Sequence, residues 1–297
     1  NGEGEEFLQN YGEGGGEACE TSRDELTHAM YKEVEAGRGS PHGGVYLSFE
    51  HISQDDLEGA LGPILEIFHR NAIDLTKMPV EVYPIAHYQM GGVEVNPRME
   101  TSVAGLYAAG ELAGGANGAN RLSGNALPEA MVFGERAGES AAIFAAKATA
   151  RDWDGDIATP YVDHIRSLIG KNGGAGQSPA SLTGDLKALM WNKVGIYRNQ
   201  ADLEIALAKI RAMRRTELEN LAVPDQTVHN ASLVEWFELR NGLMAMESLT
   251  IAALNRRESR GAHQRDDFPK TLEAYQLSQR ISLQDGALVS SFAAVPG

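Results

Sequence analysis

Along this chain, stretches whose apolar residues recur every three or four positions are separated by short runs that alternate or cluster. Over 23–36, Leu26, Met30 and Val34 fall at four-residue spacing, which predicts a helix capped by Thr21 or Ser22 and stopped by Gly37. Residues 45–49 alternate as a strand. A second helical pattern covers 55–71 and is broken at Gly62-Pro63, because proline has no amide hydrogen and clashes with the preceding turn. The run over 80–84 returns the chain to another module, and short apolar runs at 93–95 and 106–109 read as strands. The run between Gly105 and Gly110 has the form of a short buried strand. Residues 125–147, rich in Ala, Met and Phe, predict a long helix. Leu203, Leu207, Ile210 and Met213 mark a helix over 202–220, and Leu233, Phe237, Leu243, Met246 and Leu249 another over 230–257. With a shorter helix over 182–192 these predict a three-helix bundle. The Gly- and Glu-rich residues 1–20 read as an irregular lead-in, and 152–177, with glycines clustered at 173–176, as a connection.

Composition narrows the class. The 297 residues suffice for about two domains, and 42% hydrophobic content suits a globular core. A formal net charge of −15 argues against nucleic acid, since phosphate neutralisation needs clustered Lys and Arg. The single cysteine, Cys19, supports neither an internal disulfide nor an iron-sulfur cluster. His28, His42, His51, His69, His164 and His229 show no metal-ligand spacing, so no metal is expected. No run approaches ~18 uninterrupted apolar residues and no basic-then-apolar leader opens the chain. It reads as cytoplasmic, without a transmembrane segment.

The candidate chemistry is concentrated at Gly118-Ala119-Asn120-Arg121-Leu122-Ser123-Gly124-Asn125-Ala126-Leu127. A glycine-rich turn that carries an arginine and opens a helix places a guanidinium beside the amide groups of a helix N-terminus, where an anion is stabilised. Alone, the same pattern also reads as a tight turn with a surface arginine. Four other motifs accompany it: Ser22-Arg23-Asp24, His87-Tyr88-Gln89-Met90-Gly91-Gly92, Gly105-Leu106-Tyr107-Ala108-Ala109-Gly110-Glu111, and Ser259-Arg260-Gly261-Ala262-His263 continuing to Pro269.

In this order the motifs resemble the flavoprotein subunit family of succinate dehydrogenase and fumarate reductase, which also includes L-aspartate oxidase. The resemblance covers almost the whole chain and extends to Gly4-Glu5-Glu6-Phe7-Leu8; Ser123, Ala126 and Pro128 depart from the commonest family wording. It implies an α+β fold. The remainder of a capping domain over 1–82 and the C-terminal part of an FAD-binding α/β domain over 83–150 precede a helical domain over 151–297. A flavoprotein of this class opens on a strand, a Gly-x-Gly-x-x-Gly turn and a distant acidic residue, none of which occurs here. The chain is therefore expected to be the C-terminal half of a larger flavoprotein, with the N-terminal half of the FAD site elsewhere.

The resemblance also implies roles. His87 and Arg121 bind the carboxylates of succinate or fumarate, Arg121 through a two-pronged pairing that orients the substrate. Arg23 matches the family's proton-shuttling arginine. Arginine is a poor acid in water, so this role asks for burial and a neighbouring positive charge. Tyr88 lies beside the flavin ring and Glu111 serves its ribityl region. The helix start at Asn125, Ala126 and Leu127 stabilises negative charge at the flavin pyrimidine edge. His263, among Arg260, Arg265, Asp266 and Asp267, reads as a salt-bridged corner or as a second functional site. An iron-sulfur subunit is the implied partner, with peripheral attachment to the cytoplasmic membrane face through other subunits. Two readings stay open beside succinate–fumarate interconversion: an L-aspartate oxidase-like flavoenzyme, and a catalytically inert fragment that docks an iron-sulfur subunit.

Overall fold

The computed structural model describes residues 1–11, 23–149, 154–170 and 177–295. The expected caps Thr21 and Ser22, the thiol of Cys19 and the glycine cluster at 173–176 lie outside the described residues. The chain divides into two compact units, Asn1–Tyr88 and Gln89–Gly297.

In the first unit, helix α1 (Arg23–Glu35) is stopped by Gly37, whose φ of 76° bends the chain out of the helix. Its buried face is Ala29, Met30 and Glu33, with Leu26 and Val34 at the margins, so the expected apolar stripe is displaced by one carboxylate. Glu33 is fully buried. It accepts bonds from Asn1 Nδ2 (3.0 Å), Tyr11 Oη (2.6 Å), and Arg38 Nε (3.0 Å) and Nη2 (2.7 Å). The Arg38 fork holds the Glu33 carboxyl down to about 2, against the opposing effect of burial.

Strand β1 (Val45–Leu47) is followed by α2 (Gln54–Leu61) and α3 (Pro63–Arg70), separated as expected at Gly62-Pro63. Ser53 caps α2 by accepting the Asp56 amide at 3.2 Å. Strand β2 (Val80–Val82) pairs antiparallel with β1, Val45 facing Val82. The 80–84 run therefore completes a sheet of the first unit instead of opening another module. Phe7, Met30 and Val45 form one small core, and Leu57, Leu65 and Leu75 a second.

In the second unit the strands expected at 93–95 and 106–109 do not form. Val93 makes a single parallel bridge to Ala113, and Glu100 a single antiparallel bridge to Tyr107. Gly105 (φ 81°) and Gly110 (φ 64°) turn the chain at both ends of the second run, and Leu106 is exposed. Helix α4 (Ala126–Lys147) starts one residue after its expected position. Within the stretch expected to be a connection lies α5 (Thr159–Leu168), whose Leu168 is buried and whose His164 meets Trp236 edge-on at 5.5 Å.

The three expected helices are α6 (Pro179–Val194), α7 (Gln200–Ala212) and α8 (Ala231–Asn255). They pack together through Leu182, Leu186, Leu203, Ile210, Trp236 and Leu243, and α5 adds Leu168 to the same core. The 202–220 pattern does not stay α-helical: it passes through a π turn, Met213–Glu217, and a 3-10 turn, Leu218–Asn220. Trp236 Nε1 donates to the Leu218 carbonyl at 2.9 Å, satisfying its one polar atom inside the core.

Strand β3 (Tyr197–Arg198) pairs in parallel with β4 (Gln264–Arg265), and β5 (Leu277–Gln284) forms an antiparallel hairpin with β6 (Ala287–Ala294). The hairpin turn is Asp285-Gly286, both residues at positive φ. Helices and separate two-stranded sheets thus make a mixed α+β structure.

The segment after α8 is a polar corner. Arg198 Nη1 lies 2.8 Å from His263 Nδ1, and His263 Nε2 lies 3.1 Å from the Arg256 carbonyl. A guanidinium only donates and a carbonyl only accepts, so His263 is neutral with its proton on Nε2. Burial, with the positive Arg198 beside it, pushes the His263 imidazole down to about 4. The unfolded chain takes up this proton near pH 6.5 and the folded chain only near 4. Stability from this group is therefore complete above about 6.5 and declines between about 6.5 and 4. The expected loss is about 2 kcal/mol by pH 5. Denaturant titrations of parent and His263→Gln at pH 7 and pH 5 check this: the variant should lose less on acidification, and equal losses would remove His263 as the cause.

Candidate functional site

The motif residues of the second unit are held together mainly by backbone contacts. The Val93 amide donates to Leu112 O (2.8 Å) and the Gly114 amide to Val93 O (3.0 Å), fixing the Gly91-Gly92 segment against the residues after Glu111. A Cβ on Gly92 would lie 2.2 Å from Leu112 O, so this approach requires glycine. Glu111 Oε1 accepts the Gln89 amide at 2.9 Å, tying the carboxylate to the residue that follows His87-Tyr88.

The turn carrying Glu111, Gly110–Leu112, rests on the first part of α4, where Gly110 comes within 3.4 Å of the Ala130 backbone, measured from the position its Cβ would take. Farther along the helix, Tyr107 Oη donates to Ser140 O at 3.2 Å. The segment before the glycine-rich loop therefore runs beside α4 as an irregular support.

The loop itself carries Arg121, partly buried, whose Nη1 donates to Leu122 O at 3.1 Å. Asn117 Nδ2 donates to Glu129 Oε2 at 3.0 Å, so the start of the loop is fastened to a buried carboxylate in the first turn of α4. Asn125 occupies the N-cap position in a helical conformation without a side-chain capping bond. The first amides of a helix have no intrahelical acceptor. The end of α4 that begins with Ala126 and Leu127 therefore offers donors and a partial positive charge, and Leu127 is 74% exposed.

Glu111, Arg121, Asn125, Ala126 and Leu127 thus share one construction of turn, loop and helix start. Arg23, His87 and Tyr88 belong to the first unit. Arg23 is the first residue of α1 and is exposed, so its own unit does not supply the desolvation that proton transfer asks for. His87 is also exposed, which rules out a buried core histidine within that unit, and Tyr88 is half-buried. The reading from sequence missed two supports of the loop. One is the Asn117–Glu129 bond, signalled by a carboxylate in the first turn of an otherwise apolar helix. The other is a contact from Gly261-Ala262 to Ala119, in which the Ala262 amide donates to Ala119 O at 2.9 Å. The sequence signal for it was the glycine in the Ser-Arg-Gly-Ala-His motif.

The exposed Glu111 carboxylate beside a helix start without a side-chain cap fits one edge of a bound flavin, with polar groups for its hydroxylated chain and donors for its ring. Residues 1–127 match the FAD binding domain family, and residues 183–287 match the family described as fumarate reductase flavoprotein C-term.

The chain is 38% identical over 279 residues to one of the subunits of the fumarate reductase (CoM/CoB) of Methanothermobacter marburgensis, covering 91% of this chain and 48% of that protein. It is 33% identical over 253 residues to the fumarate reductase flavoprotein subunit of Escherichia coli, covering 82% of this chain and 42% of that one. A solved E. coli quinol fumarate reductase chain superposes with a TM-score of 0.88 at 29% identity, over 99% of this chain and 54% of that chain. Adenylylsulfate reductase of Archaeoglobus fulgidus, at 16% identity and a TM-score of 0.72, shares the fold alone. The chain spans about half the length of the curated relatives it matches. The two family matches and the named relatives show that the chain belongs to the succinate dehydrogenase and fumarate reductase flavoprotein subunit family, with FAD as cofactor.

Proposed function

We propose that this chain is the C-terminal half of an FAD-dependent oxidoreductase that interconverts fumarate and succinate. The observation that carries the reading is the Arg121 loop, set between the Glu111 turn and the start of α4 in a chain whose named relatives are fumarate reductases. Bound FAD supplies or accepts the hydride. Arg121 grips a substrate carboxylate with two parallel donors and so fixes the plane of the carbon-carbon double bond. His87 donates to the second carboxylate. Together they stabilise the negative charge that develops on the substrate during reduction. Arg23 delivers the proton to the other carbon, a role that asks for the guanidinium to be desolvated when substrate is bound.

Glu111 would hold the ribityl region, Tyr88 would contribute beside the ring, and the helix start at Asn125, Ala126 and Leu127 would stabilise negative charge at the pyrimidine edge. In this proposal the remainder of a capping domain and part of an FAD-binding domain precede a C-terminal helical domain. Electrons pass to or from an iron-sulfur subunit; the single cysteine of these 297 residues cannot by itself hold a cluster. Attachment to a membrane, as part of such an assembly, is through other subunits. Among the described residues no helix is long and apolar enough to cross one.

Fumarate reduction measured against L-aspartate oxidation in the full-length protein tests the assignment. Turnover of aspartate alone would replace the proposed substrate. Arg121→Lys keeps the charge but loses the fork, so KM should rise and kcat should fall together. Kinetics within about twofold of the parent would remove Arg121 as a substrate ligand. Arg23→Lys and Arg23→Gln separate proton transfer from binding. Turnover should fall by about 10² to 10⁴ while inhibitor dissociation changes far less. Equal losses in binding and turnover would make Arg23 a binding residue, and no loss in either would make it a surface charge.

A further inference from the structure

The corner after α8 has no role in the scheme above, yet its tip rests on the loop that carries Arg121. The Ala262 amide donates to Ala119 O at 2.9 Å. Gly261, at φ 56°, approaches so closely that a Cβ there would stand 2.5 Å from the Ala119 oxygen and 2.7 Å from its carbonyl carbon. Those contacts are with backbone, so no side-chain rotation relieves them, and any bulk at Gly261 has to displace the loop or the corner.

The tip is braced from behind. Arg260 and His263 close a tight turn through paired backbone bonds of 2.8 and 3.0 Å, and Gln264 Nε2 donates to Gly261 O at 2.8 Å. The His263 ring is wedged between Arg198 and the Arg256 carbonyl. The loop is itself fastened at its start by the Asn117–Glu129 bond. Gly118 (φ 55°) and Gly124 (φ 92°) flank Arg121, and no described atom lies within 4 Å of the position a Cβ would take at either. With an open glycine on each side of the functional residue, an external stop further restricts the conformations open to the segment. The Ala119 carbonyl, two residues ahead of Arg121, is where that stop acts.

We propose that the Gly261-Ala262 tip is a positioning element that fixes the Ala119 carbonyl and thereby aims the Arg121 guanidinium, with His263 as the positioning residue behind it. The proposal rests on Arg121 being the substrate ligand, and the test separates the two. Gly261→Ala is compared with Gly286→Ala, because Gly286 also has a positive φ (79°) but nothing within 4 Å of its Cβ position. Both changes strain the backbone and only one presses on the loop.

In the full-length protein Gly261→Ala should raise KM for fumarate by about 10- to 100-fold, and Gly286→Ala should leave it unchanged. Amide hydrogen exchange over 118–125 should quicken only in Gly261→Ala. Combined with Arg121→Lys, the Gly261→Ala effect on KM should largely disappear, since an arginine already absent cannot be misplaced. Equal KM and equal exchange in the two glycine variants would overturn the proposal. If Arg121→Lys is kinetically silent, the ligand assignment fails, and the exchange comparison alone decides whether the tip holds the loop. If Gly261→Ala does not fold, His263→Ala removes the brace instead. Quicker exchange over 118–125 with a raised KM then supports the proposal, and the absence of both changes overturns it.

Discussion

The corner after α8 depends on a buried guanidinium. Arg265 is 1% exposed, and its donors reach both Asp267 oxygens at 2.8 Å and the carbonyls of Ala253, Leu254 and Arg256 at 2.8 to 3.3 Å. A buried cation is costly unless its donors are matched. Here they are matched largely by the carbonyl groups that a helix leaves unpaired at its C-terminus, where a positive charge also opposes the helix dipole. One side chain thereby ends α8, places β4 beside β3 and fixes the turn that reaches Ala119. A second charge cluster completes the corner: Glu258, fully buried, accepts from Arg256 and Arg260 and from the Leu272 amide.

Much of this architecture was legible from periodicity. The helices over 23–36, 125–147, 182–192 and 230–257 formed within a few residues of their expected ends, because each had a sustained apolar pattern. The Gly62-Pro63 break was legible for a local reason, since proline cannot continue the helix before it. What failed was inference from short runs. Four apolar residues between Gly105 and Gly110 resembled a strand, but a strand needs a paired neighbour, and here the chain turns at both glycines and leans on α4. Helix α5 was lost among flanking glycines, and the β5–β6 hairpin was missed although Asp285-Gly286 between apolar runs is a strong hairpin signal.

The candidate site divided differently. Glu111, Arg121 and the start of α4 were legible as neighbours because their two motifs lie close together in sequence, so the local turn and helix already determine most of their arrangement. The buried Glu33 and the contact of Gly261 with Ala119 were not. Each depends on residues distant in the chain whose chemistry becomes visible only when burial and bond partners are known. The neutral tautomer of His263 is of the same kind: its neighbours in sequence suggested ion pairing, while its neighbours in space are an arginine donor and a carbonyl acceptor.

The bond from Ala262 to Ala119 joins residues more than a hundred positions apart, and this has a bearing on the order in which the protein is made. A ribosome adds about 5 to 20 residues per second, so the arginine loop exists for roughly 7 to 30 s before the residues that hold it have been synthesised. Closing so long a loop also carries an entropic cost that shorter-range contacts within α4 and the Glu111 turn avoid. The loop is thus the part of this region whose final shape is acquired late, after the helices around it.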